Sequence, residues 1–224
     1  MPAAVDELLA VYYPSGEPTG HACTRSQIHR IGLWHLTIQF WIVHRTVDGS
    51  YGLLFQERHP SQAAWPGELD TTSAGHVRLG ETDPFRELDE ELGVRPNVQD
   101  LSFLGVRRWA DATDPHMIDR ELHQTYLWIN DRPVDTYELQ PDEVTALVEL
   151  ELSEAEALVS GRRSVASATR YETAEDPRRI EVRNDMLVPD PDGAYLKVVD
   201  AARRHIAGES NPGTIDGWLP YPLL

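Results

Sequence analysis

Residues 75–94 read GHVRLGETDPFRELDEELGV, in which Glu81 precedes a short segment carrying Glu87, Glu90 and Glu91. Asp83 as N-cap, Pro84 at the first helical position and Gly93 just past the end predict a helix over residues 84–92. Positions i, i+3 and i+4 then project all three carboxylates from one helix face. Like charges at this spacing destabilise a bare helix, and a hard divalent cation such as Mg2+ compensates because it prefers carboxylate and water oxygens. A solvated acidic face is the alternative that E-L-D-E-E-L alone leaves open.

The rest of the chain sets the bounds. Among 224 residues, Asp and Glu outnumber Lys and Arg by 37 to 20, and a formal charge of -17 repels phosphate backbones and anionic lipid surfaces. Nucleic acid and membrane are therefore not expected partners. The length supports a core that needs no metal or disulfide merely to fold. Cys23 is the only cysteine, so there is no intrachain disulfide and no cysteine-rich zinc cage, which suits a reducing, cytoplasmic setting. The opening residues, MPAAVDELLA, mix acids into an apolar run and do not read as a signal peptide, and no apolar run approaches the ~20 residues that span a bilayer.

Outside the acidic helix, residues 33–47 and YGLLFQER flank Asp48-Gly49-Ser50 and predict a β-hairpin around a D-G turn. Further strands are expected at residues 101–109, 122–129 and 143–152. A second helix is expected from Ser153, with Glu156 completing a capping box, and a third over about 194–207, opening after Asp192 and closing at Gly208. Leu196, Val199, Ala202, Arg203 and Ile206 share one side of that last helix. The tail SNPGTIDGWLPYPLL is irregular and either docks through Trp218, Leu219 and Tyr221 or is mobile.

The acidic segment resembles the Nudix box, G-x5-E-x7-R-E-U-x-E-E-x-G-U with U apolar. Gly75 and Glu81 match its first half, and Arg86 to Val94 match every specified position of the second. One departure is the spacer TDPF, four residues where the family has seven, which predicts a trimmed first helical turn and a weakened Glu81–Arg86 contact. The resemblance implies an α+β fold, a Nudix-type α/β/α sandwich with a mixed sheet, and cleavage of diphosphate linkages with Mg2+ or Mn2+. It makes Glu90 and Glu91 metal ligands, Glu87 a ligand or base, and the backbone carbonyl of Ala74 a further ligand, with Arg86 holding Glu87 or Glu81 in place.

Within that superfamily the order of features is similar to isopentenyl-diphosphate isomerase: an N-terminal hairpin, His29 and His35, LLFQER with Arg58, Trp65-Pro66-Gly67, then Ala74-Gly75-His76. That isomerase carries its catalytic cysteine where this chain has Ala74, and a phosphate-binding lysine where it has Gln62. Its box is degenerate, whereas R-E-L-D-E-E is intact here, so hydrolysis is the expected chemistry. By the same resemblance Arg58 contacts phosphate, and His29, His35, His76 and Glu121 occupy positions of a second metal site. Glu143 stands where many Nudix enzymes keep a late acid. Trp34, Trp65 and Trp109 are candidate walls for the organic half of the substrate, although aromatic residues beside strands more often pack into the core.

The expected organisation is a segment at residues 1–32 packed on the core, a Nudix domain at 33–160 and a C-terminal extension at 161–224 with one helix and the irregular tail. The substrate is expected to be a small organic diphosphate of prenyl or nucleoside type, and a homodimer is compatible with the sequence. An isomerase-like prenyl-diphosphate enzyme and a non-catalytic diphosphate-binding module are the alternatives.

Overall fold

The computed structural model describes residues 6–46, 48–62, 64–114, 117–173, 175–209 and 213–224. The extreme N-terminus, Val47, the last residue of the run 33–47 expected to enter the hairpin, and Ser210 to Pro212 of the tail sequence lie outside them. In chain order the strands are β1 (Leu8–Tyr12), β2 (Pro18–Thr24), β3 (Trp34–Arg45), β4 (Tyr51–Arg58), β5 (Leu69–Asp70), β6 (Ser73–His76), β7 (Leu101–Asp114), β8 (Met117–Asn130), β9 (Val144–Glu151), β10 (Val165–Tyr171) and β11 (Arg178–Arg183). The helices are α1 (Arg25–Ile31), α2 (Arg86–Leu92), α3 (Leu152–Val159) and α4 (Ala194–Ile206).

All strands join one mixed sheet organised around β3. One edge of β3 runs parallel to β8 from His35 opposite Glu121 to His44 opposite Asn130. Its other edge is shared by β1 at Trp34 and His35, β6 at Thr37 to Phe40, and β4 at Ile42 to Arg45. Strand alternation sorts β3 onto two faces. Leu36, Ile38, Phe40 and Ile42 pack in a cluster with Leu88 and Leu92 of α2. Trp41 and Val43 pack in another with α3 and α4, through residues such as Leu158, Tyr195 and Val198. This is the expected sandwich, with α2 on one face and α3 and α4 on the other.

The D-G hairpin forms as β3–β4, and the N-terminal hairpin as β1–β2. Several boundaries differ from expectation for local reasons. Helix α2 begins at Arg86, with Phe85 as N-cap and no side-chain cap. Asp83 instead accepts from the Phe85 amide at 3.0 Å and pairs with Arg95, so it closes a turn before the helix. Likewise α3 begins at Leu152, and Ser153 lies inside its first turn with Oγ donating to Glu151, so the Ser153–Glu156 capping box does not form. On α4 the buried side is Tyr195, Val198, Val199 and Ala202, while Leu196 is exposed. Its free amides are met by Asp190, whose carboxylate accepts from Ala194 and Tyr195 at 2.9 and 2.8 Å, rather than by Asp192.

To the helix and tail expected after residue 161, the structure adds β10 and β11, which extend the sheet beyond β9. The tail docks: Val106 and Leu219 exchange backbone hydrogen bonds, and Trp218 is buried against the α4 face, whereas Tyr221 stays exposed.

Candidate active site

Helix α2 is pinned under β6 by glycine and arginine. A Cβ at Gly75 would lie 2.0 Å from Glu87 Cδ, so only glycine lets the Glu87 carboxylate cross beneath the strand. Arg86 then clamps the surrounding acids. It donates to Glu81 at 2.5 Å, to Glu90 at 2.8 Å, to the His76 carbonyl at 2.8 Å and, closely, to Glu87. The Glu81–Arg86 contact is thus intact despite the four-residue spacer, because the turn at Asp83 to Phe85 replaces the missing helical turn.

The three glutamates of the box are not equivalent. Glu87 and Glu91 are buried at the level of Ser73 to Gly75, whereas Glu90 is about half exposed and held by Arg86. Burial pushes Glu87 up to about 7, with Glu90 and Glu143 adding to the rise against the pull of Arg86. Burial likewise lifts Glu91 well above the usual carboxylate range, and Glu87 and Glu143 reinforce it. Glu91 Oε2 and Ser73 Oγ are buried without hydrogen-bond partners. A divalent cation fits here: it would satisfy the orphaned oxygen and supply the positive charge that lets both acids ionise near neutral pH.

A second group forms on the opposite face of β3. His29 from α1, His35 from β3, His76 from β6 and Glu121 from β8 bring their ligand atoms within 4.8 Å of one another, the one such group among the described residues. Backbone carbonyls set the tautomers. His29 Nδ1 sits 2.8 Å from the Arg25 carbonyl and His35 Nδ1 3.0 Å from that of Leu33, so each Nδ1 carries the proton and each Nε2 lone pair faces inward. Nε2 of His35 and of His76 are buried and unbonded, 3.5 and 3.6 Å from Glu121 Oε1. Burial drives His76 well below the usual imidazole range. Burial also lowers His35, but the Glu121 carboxylate outweighs it and leaves that ring raised. An imidazole-rich set of this kind suits a transition-metal ion.

Two partners of this cluster were absent from the sequence reading. Asp119 lies 3.2 Å from His29 Nε2, and burial with Glu121 nearby pushes it up to about 7. His123 Nε2 donates to Glu121 Oε2 at 2.6 Å. The signal was there, since Asp119, Glu121 and His123 alternate along one strand and must share a face.

The other predicted residues fall as follows. Arg58 donates from Nε to the Ala64 carbonyl at 3.0 Å and from Nη1 to Asp70 at 3.1 Å, leaving Nη2 unbonded among the described residues. Trp65 is partly buried in the loop after β4, at φ +51. Trp34 packs against the apolar cluster on the α2 face, away from the histidines. Trp109 stacks on His123. Glu143 is exposed at the head of β9, close enough to raise both buried acids of α2. Among the described residues no helix is long and apolar enough to cross a membrane.

The site is a carboxylate-bearing helix pinned under a short strand, on one face of a mixed sheet within an α/β/α sandwich, with room in its chemistry for a divalent cation. The NUDIX domain model matches residues 36–169, and the chain belongs to the Nudix family. An uncharacterized Nudix hydrolase of Clostridium acetobutylicum is 32% identical over 184 residues, covering 80% of this chain and 88% of that protein. Nudix hydrolase 3 of Arabidopsis thaliana is 33% identical over 149 residues, which is 63% of this chain and 19% of that longer protein. A crystal structure from Deinococcus radiodurans is similar at 22% identity and a TM-score of 0.48, covering 69% of this chain and 90% of that one. The chain is therefore a Nudix hydrolase, a class that acts on nucleoside-diphosphate derivatives as small-molecule substrates with divalent metal.

Proposed function

We propose that the chain hydrolyses a diphosphate linkage in a small organic diphosphate of prenyl or nucleoside type, in the cytoplasm, with Mg2+ or Mn2+ held by Glu87, Glu90, Glu91 and the Ala74 carbonyl. The observation that carries this reading is Glu91, buried with an orphaned oxygen beside a second buried acid, at the edge of a strand whose Ala74 is only partly buried. When bound there, the ion supplies neutralisation of diphosphate charge and a water of lowered pKa. The chain's residues do the rest. Arg86 fixes the carboxylates and touches no substrate. Glu87, whose proton leaves near neutral pH, serves as ligand or proton acceptor. Arg58 offers Nη2 to a phosphate oxygen, and Trp65 borders the organic half.

A second reading is supported by the His29, His35, His76 and Glu121 group, which a plain diphosphatase does not need. It keeps the chain close to the isomerase branch, with prenyl diphosphate as the ligand and a transition-metal ion at the histidines. Ala74 in place of the cysteine removes the thiol proton donor and favours hydrolysis. Incubating the protein with Mg2+ and a diphosphate panel, and following products by phosphorus and proton NMR, separates the two. Phosphate or monophosphate release supports hydrolysis, and double-bond migration in isopentenyl diphosphate without release overturns it.

A further inference from the structure

Helix α2 and strand β6 meet in register. Gly75 lies against Glu87, since a Cβ there would come within 2.0 Å of its carboxyl carbon. Two residues back along β6 is Ser73, and four residues on along α2 is Glu91. Two strand residues span about 6.6 Å and four helical residues about 6 Å, so a helix lying along the strand with Glu87 at Gly75 brings Glu91 to Ser73. Ser73 faces that helix: it stands opposite Phe40 across β3–β6, and Phe40 packs with Leu88 and Leu92.

Ser73 is 0% exposed and Glu91 4%. Burial lifts the Glu91 carboxyl, and the largest pull back down comes from the Ser73 hydroxyl, with the Ala74 amide adding to it. Neither Ser73 Oγ nor Glu91 Oε2 has closed a hydrogen bond, so a buried donor and a buried acceptor stand side by side, near but not aligned. Glu91 also differs from its neighbours in what holds it. Among the described residues Arg86 donates to Glu81, Glu87, Glu90 and the His76 carbonyl, and not to Glu91. A carboxylate that holds a cation is ionised and only accepts, with about four lone-pair sites, so Glu91 can meet an ion and accept from a hydroxyl together. Hydrogen bonds of this kind fix the orientation of metal-ligating carboxylates.

We infer that Ser73 is the positioning residue of Glu91: its hydroxyl donates to the carboxylate and fixes the orientation in which Glu91 meets the divalent ion. The inference rests on the proposed reading that the α2 carboxylates hold Mg2+ or Mn2+. Ser73 touches neither ion nor substrate and acts through Glu91. The two positions of β6 thus divide the support of the helix, Gly75 leaving room for Glu87 and Ser73 supplying a donor to Glu91, while Arg86 holds the acids that Ser73 does not reach.

The test is thermal unfolding of the full chain in EDTA and across a series of Mg2+ concentrations, a hard cation that prefers carboxylate oxygens to the imidazoles of the histidine group. An ion that binds only the folded state raises Tm according to its affinity. In EDTA, Ser73→Ala should melt no lower than wild type, because the hydroxyl it loses is buried there without a partner. In Mg2+, the variant should need about tenfold more of the ion for the same rise in Tm, the loss expected when a hydrogen bond to a metal ligand is removed. Ser73→Cys keeps the shape but offers only a weak donor, and should fall with Ser73→Ala. A wild-type Mg2+ response in either variant, the result if the hydroxyl merely packs or holds a water, overturns the inference. So does a lower Tm in EDTA with an unchanged gain from Mg2+, the mark of a purely structural role. A wild type that gains nothing from Mg2+, or whose gain survives Glu91→Gln, overturns instead the metal reading on which the inference rests.

Discussion

Replacing Glu87 by Gln in metal-free protein isolates the cost of burying a carboxylate where the cation belongs. The fold holds the Glu87 carboxyl at about 7 against the 4.5 of a free glutamate, chiefly through burial, and its side chain is only 10% exposed. An acid whose folded pKa is raised binds more protons folded than unfolded between the two values, so stability falls as pH rises through that window. With 1.36 kcal/mol per pKa unit, the ionised carboxylate costs on the order of 3 kcal/mol at pH 8, and below about 1 kcal/mol at pH 5. Gln keeps the shape and an acceptor for Arg86 without the charge. Urea unfolding in EDTA should therefore show Glu87→Gln more stable than wild type by about 3 kcal/mol at pH 8, a rise of roughly 6–12 °C in Tm for a chain of this size, with near equality at pH 5. Adding Mg2+ should stabilise the wild type at pH 8 and leave the variant almost unmoved. A variant that gains nothing at pH 8, or that responds to Mg2+ as the wild type does, would refute the reasoning.

Glu90→Gln and Glu91→Gln should each lower metal-dependent kcat/KM by about two orders of magnitude or more. Only Glu91→Gln should also stabilise the metal-free protein, because Glu90 stands in water against Arg86; denaturation in EDTA checks the contrast. Gly75→Ala pushes a methyl into the Glu87 carboxylate and should cost about 1–3 kcal/mol together with most of the activity, read by melting and phosphate release. Arg107→Met leaves Asp190 and Asp192 without their buried cation and should destabilise by about 3–5 kcal/mol in urea. Ala74→Cys should not yield an efficient isomerase, since Gln62 still stands where the isomerase has its phosphate-binding lysine; proton NMR with isopentenyl diphosphate measures it.

The parts of the fold that could be read from sequence are those with local punctuation. Asp48-Gly49 turns β3 into β4, and Gly93 ends α2 in the left-handed region at φ +63. The helix start was misplaced because an aspartate two residues before an amide serves a turn as well as a cap, and Arg95 twelve residues on helps hold Asp83 in that role. Strands β10 and β11 carry many small and charged residues, Ala166, Ser167, Ala168, Arg178, Arg179 and Glu181, so their membership in the sheet is decided by the pairing of β10 with β9 and of β11 with β10 more than by their own hydrophobicity. Helix α1 is marked in the sequence by its caps alone, the Thr24–Gln27 capping box and Gly32, because its seven residues are too few for an apolar period to stand out. The candidate site follows the same division. Glu87, Glu90 and Glu91 could be placed on one helix from spacing alone, but which of them is buried depends on β6 lying over the helix. The histidine group joins α1, β3, β6 and β8, and no spacing rule unites residues that far apart in the chain.

Anomalous diffraction from crystals soaked in Mn2+ tests the central claim most directly. The account predicts an Mn2+ peak bonded to Glu87 and Glu91 oxygens and the Ala74 carbonyl, with any second peak at His29, His35, His76 and Glu121. A crystal saturated with Mn2+ in which Glu87 and Glu91 bind no ion would contradict it.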